Sequence, residues 1–406
     1  MNRSQRPPTS GAGLGPSTEE AARAPSLYRM TPLELSWGWV PGVCEGPSQA
    51  PVLVPARPLS ALEDAIRPAL CRPPCLVQFS GGRDSSLILA VALRLAREEG
   101  LEEPVACTHR YPGLEEADEA HWQELVAGHL GIRHWERIEV TDQLDLIGAA
   151  ATPSLERHGL LWPPMVHARH FDFSMARGGA ILDGEGGDEV LGPGRMAAVS
   201  ALLSGQLGPG RVLFKHLAVA LAPRSARRAV ARRLYRREVR PPWLRPDAWR
   251  ALESAVADDF AGEPLDRRRG LVRHARLRMV ALFLANSAAL AAEHDTLDVK
   301  PLLTPGFLAA LGAAGGWLGF PGRTTAMTSL FADLLPAEVL GRSTKARFNR
   351  SAFNVHSRAF AAGWDGGGVD EELVDPEALR NAWMQEEPNA LSFGLLQAAW
   401  LAGHPR

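Results

Sequence analysis

Lysine is almost absent from this chain of 406 residues. Of 44 basic residues only Lys215, Lys300 and Lys345 are lysine, which leaves 41 arginines. A high-GC codon bias with three chance survivors is one account. A chemical need for a compact ammonium at the surviving positions is the other. Cysteine is also scarce: Cys44, Cys71, Cys75 and Cys107 are too few to staple a chain of this size, which excludes a disulfide scaffold. No sign of charge dominates, since the formal net charge is −2, and so no global field recruits nucleic acid or an anionic membrane. Long hydrophobic runs are missing. The longest, Met279 to Ala292, is interrupted by Asn286 and Ser287 and falls short of the roughly 20 residues a bilayer requires. The first twenty residues, MNRSQRPPTSGAGLGPSTEE, contain no apolar stretch of the secretory type. The expectation is a cytoplasmic globular protein with no membrane and no nucleic-acid partner. At 46% hydrophobic and 22% charged residues it has ample material for a core.

What is present is organised. Residues 1–25 are rich in Pro, Gly, Ser and Thr without apolar periodicity and read as a disordered tail. Residues 26–59 carry apolar clusters broken by Pro and Gly and receive no assignment. Cys75 to Phe79 is an apolar run bounded by Pro74 and by Ser80-Gly81-Gly82, the pattern of a buried strand. Leu87, Ile88, Val91 and Leu95 follow at helical spacing, with Gly100 as a stop. Val105 to Thr108 is a second strand. Asp118 opens a helix carrying Trp122, Leu125, Val126 and Leu130, closed by Gly131; His134 to Val140 and Gly179 to Leu182 are the third and fourth strands. Strands alternating with helices predict an α/β unit with a parallel sheet over residues 60–195. Beyond it no strand is expected, and residues 196–406 read as a mostly helical second half.

Two strings carry chemistry. Ser80-Gly81-Gly82-Arg83-Asp84-Ser85-Ser86 lies between a strand and a helix. Its glycines admit an anion close to the backbone, and the serine hydroxyls with the helix-start N–H groups can wrap a phosphate. No GK[ST] follows, so it is not a Walker A loop. Asp84 is repulsive beside a phosphate unless a divalent cation lies between them. The second string, Asp183-Gly184-Glu185-Gly186-Gly187-Asp188-Glu189, follows the fourth strand and packs acids between glycines. In an open parallel sheet the carboxyl ends of the strands share one rim, which lets Asp188 reach the same metal–phosphate cluster as Asp84. A plain glycine turn and a solvated acidic turn are the competing readings of the two strings taken singly.

Together these strings resemble the ATP-pyrophosphatase (PP-loop) half of the asparagine synthetase family, whose relatives include β-lactam synthetase and lasso-peptide cyclases. The family pattern is SGG-x-DSS followed by SGEG-x-DE; here Asp183 replaces the serine of the second string, and Arg83 stands at a position often aliphatic. The resemblance continues in Leu297 to Leu303, similar to the stretch EVRVPFLD. It extends to Leu335 to Leu340 with Arg342 to Phe348, similar to LPEEVL-x-R-x-K-x-x-F, although a lysine common upstream of that last stretch has no counterpart near Thr325. What the resemblance implies is an ATP- and Mg²⁺-dependent ligase. It would adenylate a small-molecule or peptide carboxylate, release pyrophosphate, and form an amide when an amine or ammonia displaces AMP. It assigns the nucleotide site to Ser80, Gly81, Gly82, Asp84, Ser85 and Ser86, with Gln78, Phe79, Asp183 and Gly184 alongside. Asp84 and Asp188 become the Mg²⁺ ligands, and Lys345 and Glu185 the catalytic groups. Glutamine-dependent members place a cysteine directly after the initiator methionine and a glutaminase before the ATP loop. Here position 2 is Asn2 and 79 residues precede Ser80, so ammonia is expected from a separate source, or the amine from the substrate or a precursor peptide. A ring-closing or peptide-modifying ligase and a non-catalytic ATP-binding homologue are the alternatives.

Two weaker features complete the reading. Cys71 and Cys75 have no paired His or Cys nearby and read as ordinary thiols. Arg224, Arg227, Arg228, Arg232, Arg233, Arg236, Arg237 and Arg240 recur at helical spacing, and Arg267 to Arg269 repeat the theme. They form a solvated face or, failing that, a dock for an acidic peptide.

Overall fold

The computed structural model describes residues 29–44, 57–114, 117–208, 210–236, 240–342, 344 and 349–404. The tail expected at 1–25 lies outside them, as does Lys345.

Five parallel strands form one sheet: β1 (Cys75–Gln78), β2 (Val105–Arg110), β3 (Trp135–Glu139), β4 (Ala180–Leu182) and β5 (Leu297–Val299), in the spatial order β3-β2-β1-β4-β5. Four of them stand where the sequence reading expects strands, although β3, Trp-Glu-Arg-Ile-Glu, is mostly charged and exposed. The register sets Leu76 beside both Val105 and Ile181, and Ile181 beside Asp298. The order reverses between β1 and β4, because the chain runs outward to β3 on one side and to β5 on the other. That reversal is a topological switch point, where a crevice opens at the carboxyl ends of the strands.

β5 corrects the expectation that strands stop before residue 196. It is three residues long with a charged centre, Asp298, and no local apolar pattern marks it. It pairs because its acid is neutralised by side chains from elsewhere, described below.

The helix Arg83–Glu99 follows β1. Its residues Ser85 to Leu93, Leu95 and Ala96 are all buried, because it is covered on every side, and Gly100 ends it with φ +68°. Gly131 closes the helix Ala120–Leu130 in the same manner, and Asp118 caps just ahead of it, its Oδ1 accepting from the Ala120 N–H at 2.9 Å. The main core joins Phe79, Leu87, Ile88 and Val91 to Leu182, Leu302, Phe307 and Phe331. A second apolar cluster, with Trp243, Phe353, Trp364, Trp383 and Phe393, consolidates the helical remainder. Within the run that is too short for a bilayer, the helix Arg278–Ala292 buries its two polar interruptions. Asn286 donates to the Trp162 carbonyl at 2.9 Å and Ser287 to Asp298 Oδ2 at 2.7 Å. Among the described residues no helix is long and apolar enough to cross a membrane.

The arginine stretch is partly consumed by packing. In the helix Arg224–Tyr235, Arg227 is buried and donates to the carbonyls of Phe260 and Ala261, while Arg228 pairs with Asp258; just beyond it Arg236 pairs with Glu253. Arg224, Arg233 and Arg240 remain exposed, and Arg237 lies outside the described residues. Cys71 is exposed, Cys75 buried, and both are free thiols. Burial pushes the Cys75 thiol up to about 12.

Candidate active site

The first string is a tight loop stitched by its own hydroxyls. Gly81 turns it with φ +82°, a conformation a side chain disfavours, and a Cβ there would sit 2.9 Å from Gln123 Cγ. Ser85 Oγ lies 3.0 Å from Ser80 Oγ and accepts from the Ser80 N–H at 3.2 Å, while Gln123 Nε2 donates to the Ser80 carbonyl at 3.2 Å. Gly82 caps the following helix without a side-chain acceptor, which leaves first-turn N–H groups for an anion. Ser86 is fully buried, and among the described residues its Oγ has no partner.

The second string arrives from β4, the neighbouring strand. A Cβ on Gly184 would fall 2.6 Å from the Ser85 nitrogen, and one on Gly187 would fall inside the Asp84 carboxylate. The two loops therefore touch through glycine, and only glycine permits it. Asp188 follows, and its Oδ1 and Asp84 Oδ2 both receive the guanidinium of Arg323, one from Nη1 and the other from Nη2. Burial drives the Asp84 carboxyl above the usual aspartate value against the pull of Arg323. Glu185 is exposed beside the two loops. The protein mass around it, with the Asp183 charge second, raises its carboxyl above the ordinary glutamate value.

The other expected nucleotide contacts are placed differently. Asp183 is buried and fully engaged: Oδ1 accepts from the Glu185 N–H at 3.1 Å, and Oδ2 meets Lys300 Nζ at 2.9 Å and Arg169 Nη2 at 3.0 Å. Asp298 shares both cations, which outweigh burial and hold its carboxyl below the usual range. Gln78 donates to Asp172 Oδ2 at 2.7 Å. Phe79 is a core side chain; its N–H donates to the Cys107 carbonyl and its own carbonyl accepts from the Thr108 hydroxyl. Gly184 alone of these four reaches the loop.

Several arginines that the sequence reading names without a role at the site prove to hold it together. Arg342 is buried, donates to the Gly81 carbonyl at 3.0 Å and to Glu119 at 2.5 and 2.8 Å, and lies over the Trp122 ring. Arg267 grips the end of the second string through the carbonyls of Glu189, Val190 and Gly192. Arg83 donates to Thr324 Oγ1 at 3.2 Å, beside Arg323. In a chain with 41 arginines no single one stands out by type. Truncating one partner of a buried pair leaves the other charge uncompensated. Arg342→Ala is therefore expected to lose about 3–5 kcal/mol of stability, read by urea denaturation. Loss of under about 1 kcal/mol, the worth of an exposed pair, would mean that Glu119 reaches water without it.

The donors fit a hard divalent cation. Both are carboxylates, and among the described residues Asp84 Oδ1 is buried without a hydrogen-bond partner. Among the described residues no three or more metal-ligating side chains converge, so two acids are the protein's share and nucleotide phosphates and water would complete the shell.

A family model for asparagine synthase matches residues 59–295. The chain belongs to that family. Its members are ATP-dependent, amide-forming ligases that generally use Mg²⁺. Comparison with curated proteins gives no match. The matched segment holds β1 to β4 and both glycine-acid strings; β5, Arg323, Arg342 and Lys345 follow it.

Proposed function

We propose that this family member is an AMP-forming carbon–nitrogen ligase that adenylates a substrate carboxylate and passes the acyl group to an amine or ammonia. The observation that carries the reading is the contact of the two strings at the switch point, where Gly184 and Gly187 bring Asp84 and Asp188 to one spot. Loop N–H groups and the hydroxyls of Ser80 and Ser85 hold the phosphates, while Ser86, fully buried, lies behind them and not against the nucleotide. Asp84 and Asp188 hold Mg²⁺, which neutralises phosphate charge. A substrate carboxylate oxygen attacks the α-phosphorus, and the bond to the bridging oxygen breaks with its electron pair leaving on pyrophosphate. The amine then attacks the acyl carbon, loses a proton, and AMP departs. Glu185, exposed beside Asp183 and with its carboxyl raised, contacts the amine and takes that proton. Lys345 supplies a compact positive charge to the developing oxyanions.

The test is product analysis. The purified protein is given ATP, Mg²⁺, a panel of amino-acid carboxylates and either ¹⁵N-ammonium or amide-labelled glutamine. AMP and pyrophosphate are expected in equal amounts, with label entering the amide from ammonium and not from glutamine. ADP and phosphate as products would overturn the adenylation reading; glutamine-derived label without a second protein would overturn the external nitrogen source.

A further inference from the structure

The two carboxylates expected to hold the metal already share a cation. Arg323 opens the helix Arg323–Phe331, which meets the strings from the far end of the chain, and its planar fork reaches Asp84 with one terminal nitrogen and Asp188 with the other. Its side chain is 17% exposed and that of Asp84 16%, so that arm of the bridge is shielded, whereas that of Asp188 is 38% exposed; among the described residues Arg323 Nε has no partner. Two carboxylates about 4 Å apart repel by about 4 kcal/mol at an effective dielectric near 20. A guanidinium spanning both removes that repulsion and fixes their separation.

We propose that Arg323 is an internal surrogate for the divalent cation. It holds Asp84 and Asp188 together before nucleotide arrives, must be displaced for the metal to bind, and thereby makes metal entry depend on nucleotide. The proposal rests on the ligase reading above. A tethered arginine acts on the acids at high effective concentration, and Mg²⁺ surrenders its water reluctantly. Free metal alone therefore exchanges one cation for another with little gain. A metal–triphosphate complex differs, because its phosphates give the released guanidinium a new anionic partner that it grips with the same fork. The enzyme then takes up metal with ATP and does not hold it beforehand.

The experiment measures Mn²⁺ binding by electron paramagnetic resonance, with no nucleotide present, in the full chain and in Arg323→Ala, Arg323→Gln and Arg323→Lys. Removing the competitor is expected to tighten Mn²⁺ binding at least tenfold in the Ala and Gln variants. Lysine, a point charge unable to span both acids, should fall between. A second reading follows by thermal melting: Mn²⁺ should raise the melting temperature of the Ala or Gln variant more than that of the parent. Equal Mn²⁺ affinity in the parent and variants, or weaker binding in the variants, overturns the proposal, and Arg323→Lys decides the matter if the neutral variants do not fold. Titrating the parent with α,β-methylene-ATP separates the two ideas. Failure of the analogue to bind strikes the nucleotide site, whereas analogue binding with unchanged Mn²⁺ affinity in the variants strikes only the role of Arg323.

Discussion

Asp84→Asn is expected to lower pyrophosphate release by roughly 10³-fold, the upper scale for losing one preorganised electrostatic group, while the protein melts at the same or a higher temperature. The two halves of that expectation have one cause. Burial lifts the Asp84 carboxyl above its ordinary value, so the folded state disfavours the charged form at neutral pH even with Arg323 beside it. The sign follows directly. A carboxyl whose folded pKa exceeds its unfolded one opposes folding wherever it is ionised, above the unfolded pKa, and the opposition fades as pH falls through the folded pKa. Asparagine is nearly isosteric and removes that opposition. It also removes half of the anionic donor set that, on the ligase reading, holds the metal against the phosphates. Function lost while stability is kept or gained is the signature of a group retained for chemistry. A structural aspartate would show the opposite pairing. If the variant melts well below the parent and keeps most of its turnover, Asp84 serves the fold and the metal assignment fails. Calorimetry and a pyrophosphate assay on one preparation read both halves.

Much of this arrangement is legible in the sequence because a doubly wound sheet writes its strands locally. Cys75-Leu76-Val77 and Ala180-Ile181-Leu182 are apolar throughout because both faces of the sheet are covered, and Pro or Gly brackets each. The glycine-acid strings are legible for a related reason: a loop that must approach both a backbone and an anion has few residue types open to it. What escapes is held by long-range charge. Asp298 makes β5 look like no strand at all until Lys300, Arg169 and Ser287 converge on it. Arg323 lies 239 positions from Asp84 in a chain full of arginine. Gln78 and Phe79 stand at the end of β1, and there their polar groups are engaged with Asp172, Cys107 and Thr108, partners that no local pattern announces. The near-absence of lysine points to Lys300 as unusual, but only the fold shows that its partner is Asp183, the residue that departs from the family's serine.

That departure supports the second large expectation. Lys300→Met should destabilise the protein by about 3–5 kcal/mol, the loss that follows when one partner of a buried charge set is removed. Lys300 is 5% exposed, and without it Asp183 and Asp298 would face each other with only Arg169 between them. Methionine fills the aliphatic stem's volume, so the loss reports charge and not a cavity. The gap should narrow below about pH 4, near the ordinary aspartate value. Asp298 contributes stability above its unfolded pKa, and that contribution drains away as pH falls through its depressed folded value. The stronger test is a cycle. Asp183→Ser restores the family's residue and leaves Lys300 with Asp298, whereas the double variant Asp183→Ser/Lys300→Met removes one charge of each sign and leaves Arg169 with Asp298. If Asp183 and Lys300 entered as a matched pair, the double variant regains much of what Lys300→Met loses, with a coupling of about 2–3 kcal/mol, the upper range for residues in one network. Additive losses would show that the two charges stand beside each other without depending on each other. Because Asp183 Oδ1 also accepts from the Glu185 N–H, the rescued double variant should recover pyrophosphate release as well as stability. A serine hydroxyl there can accept that N–H in its place.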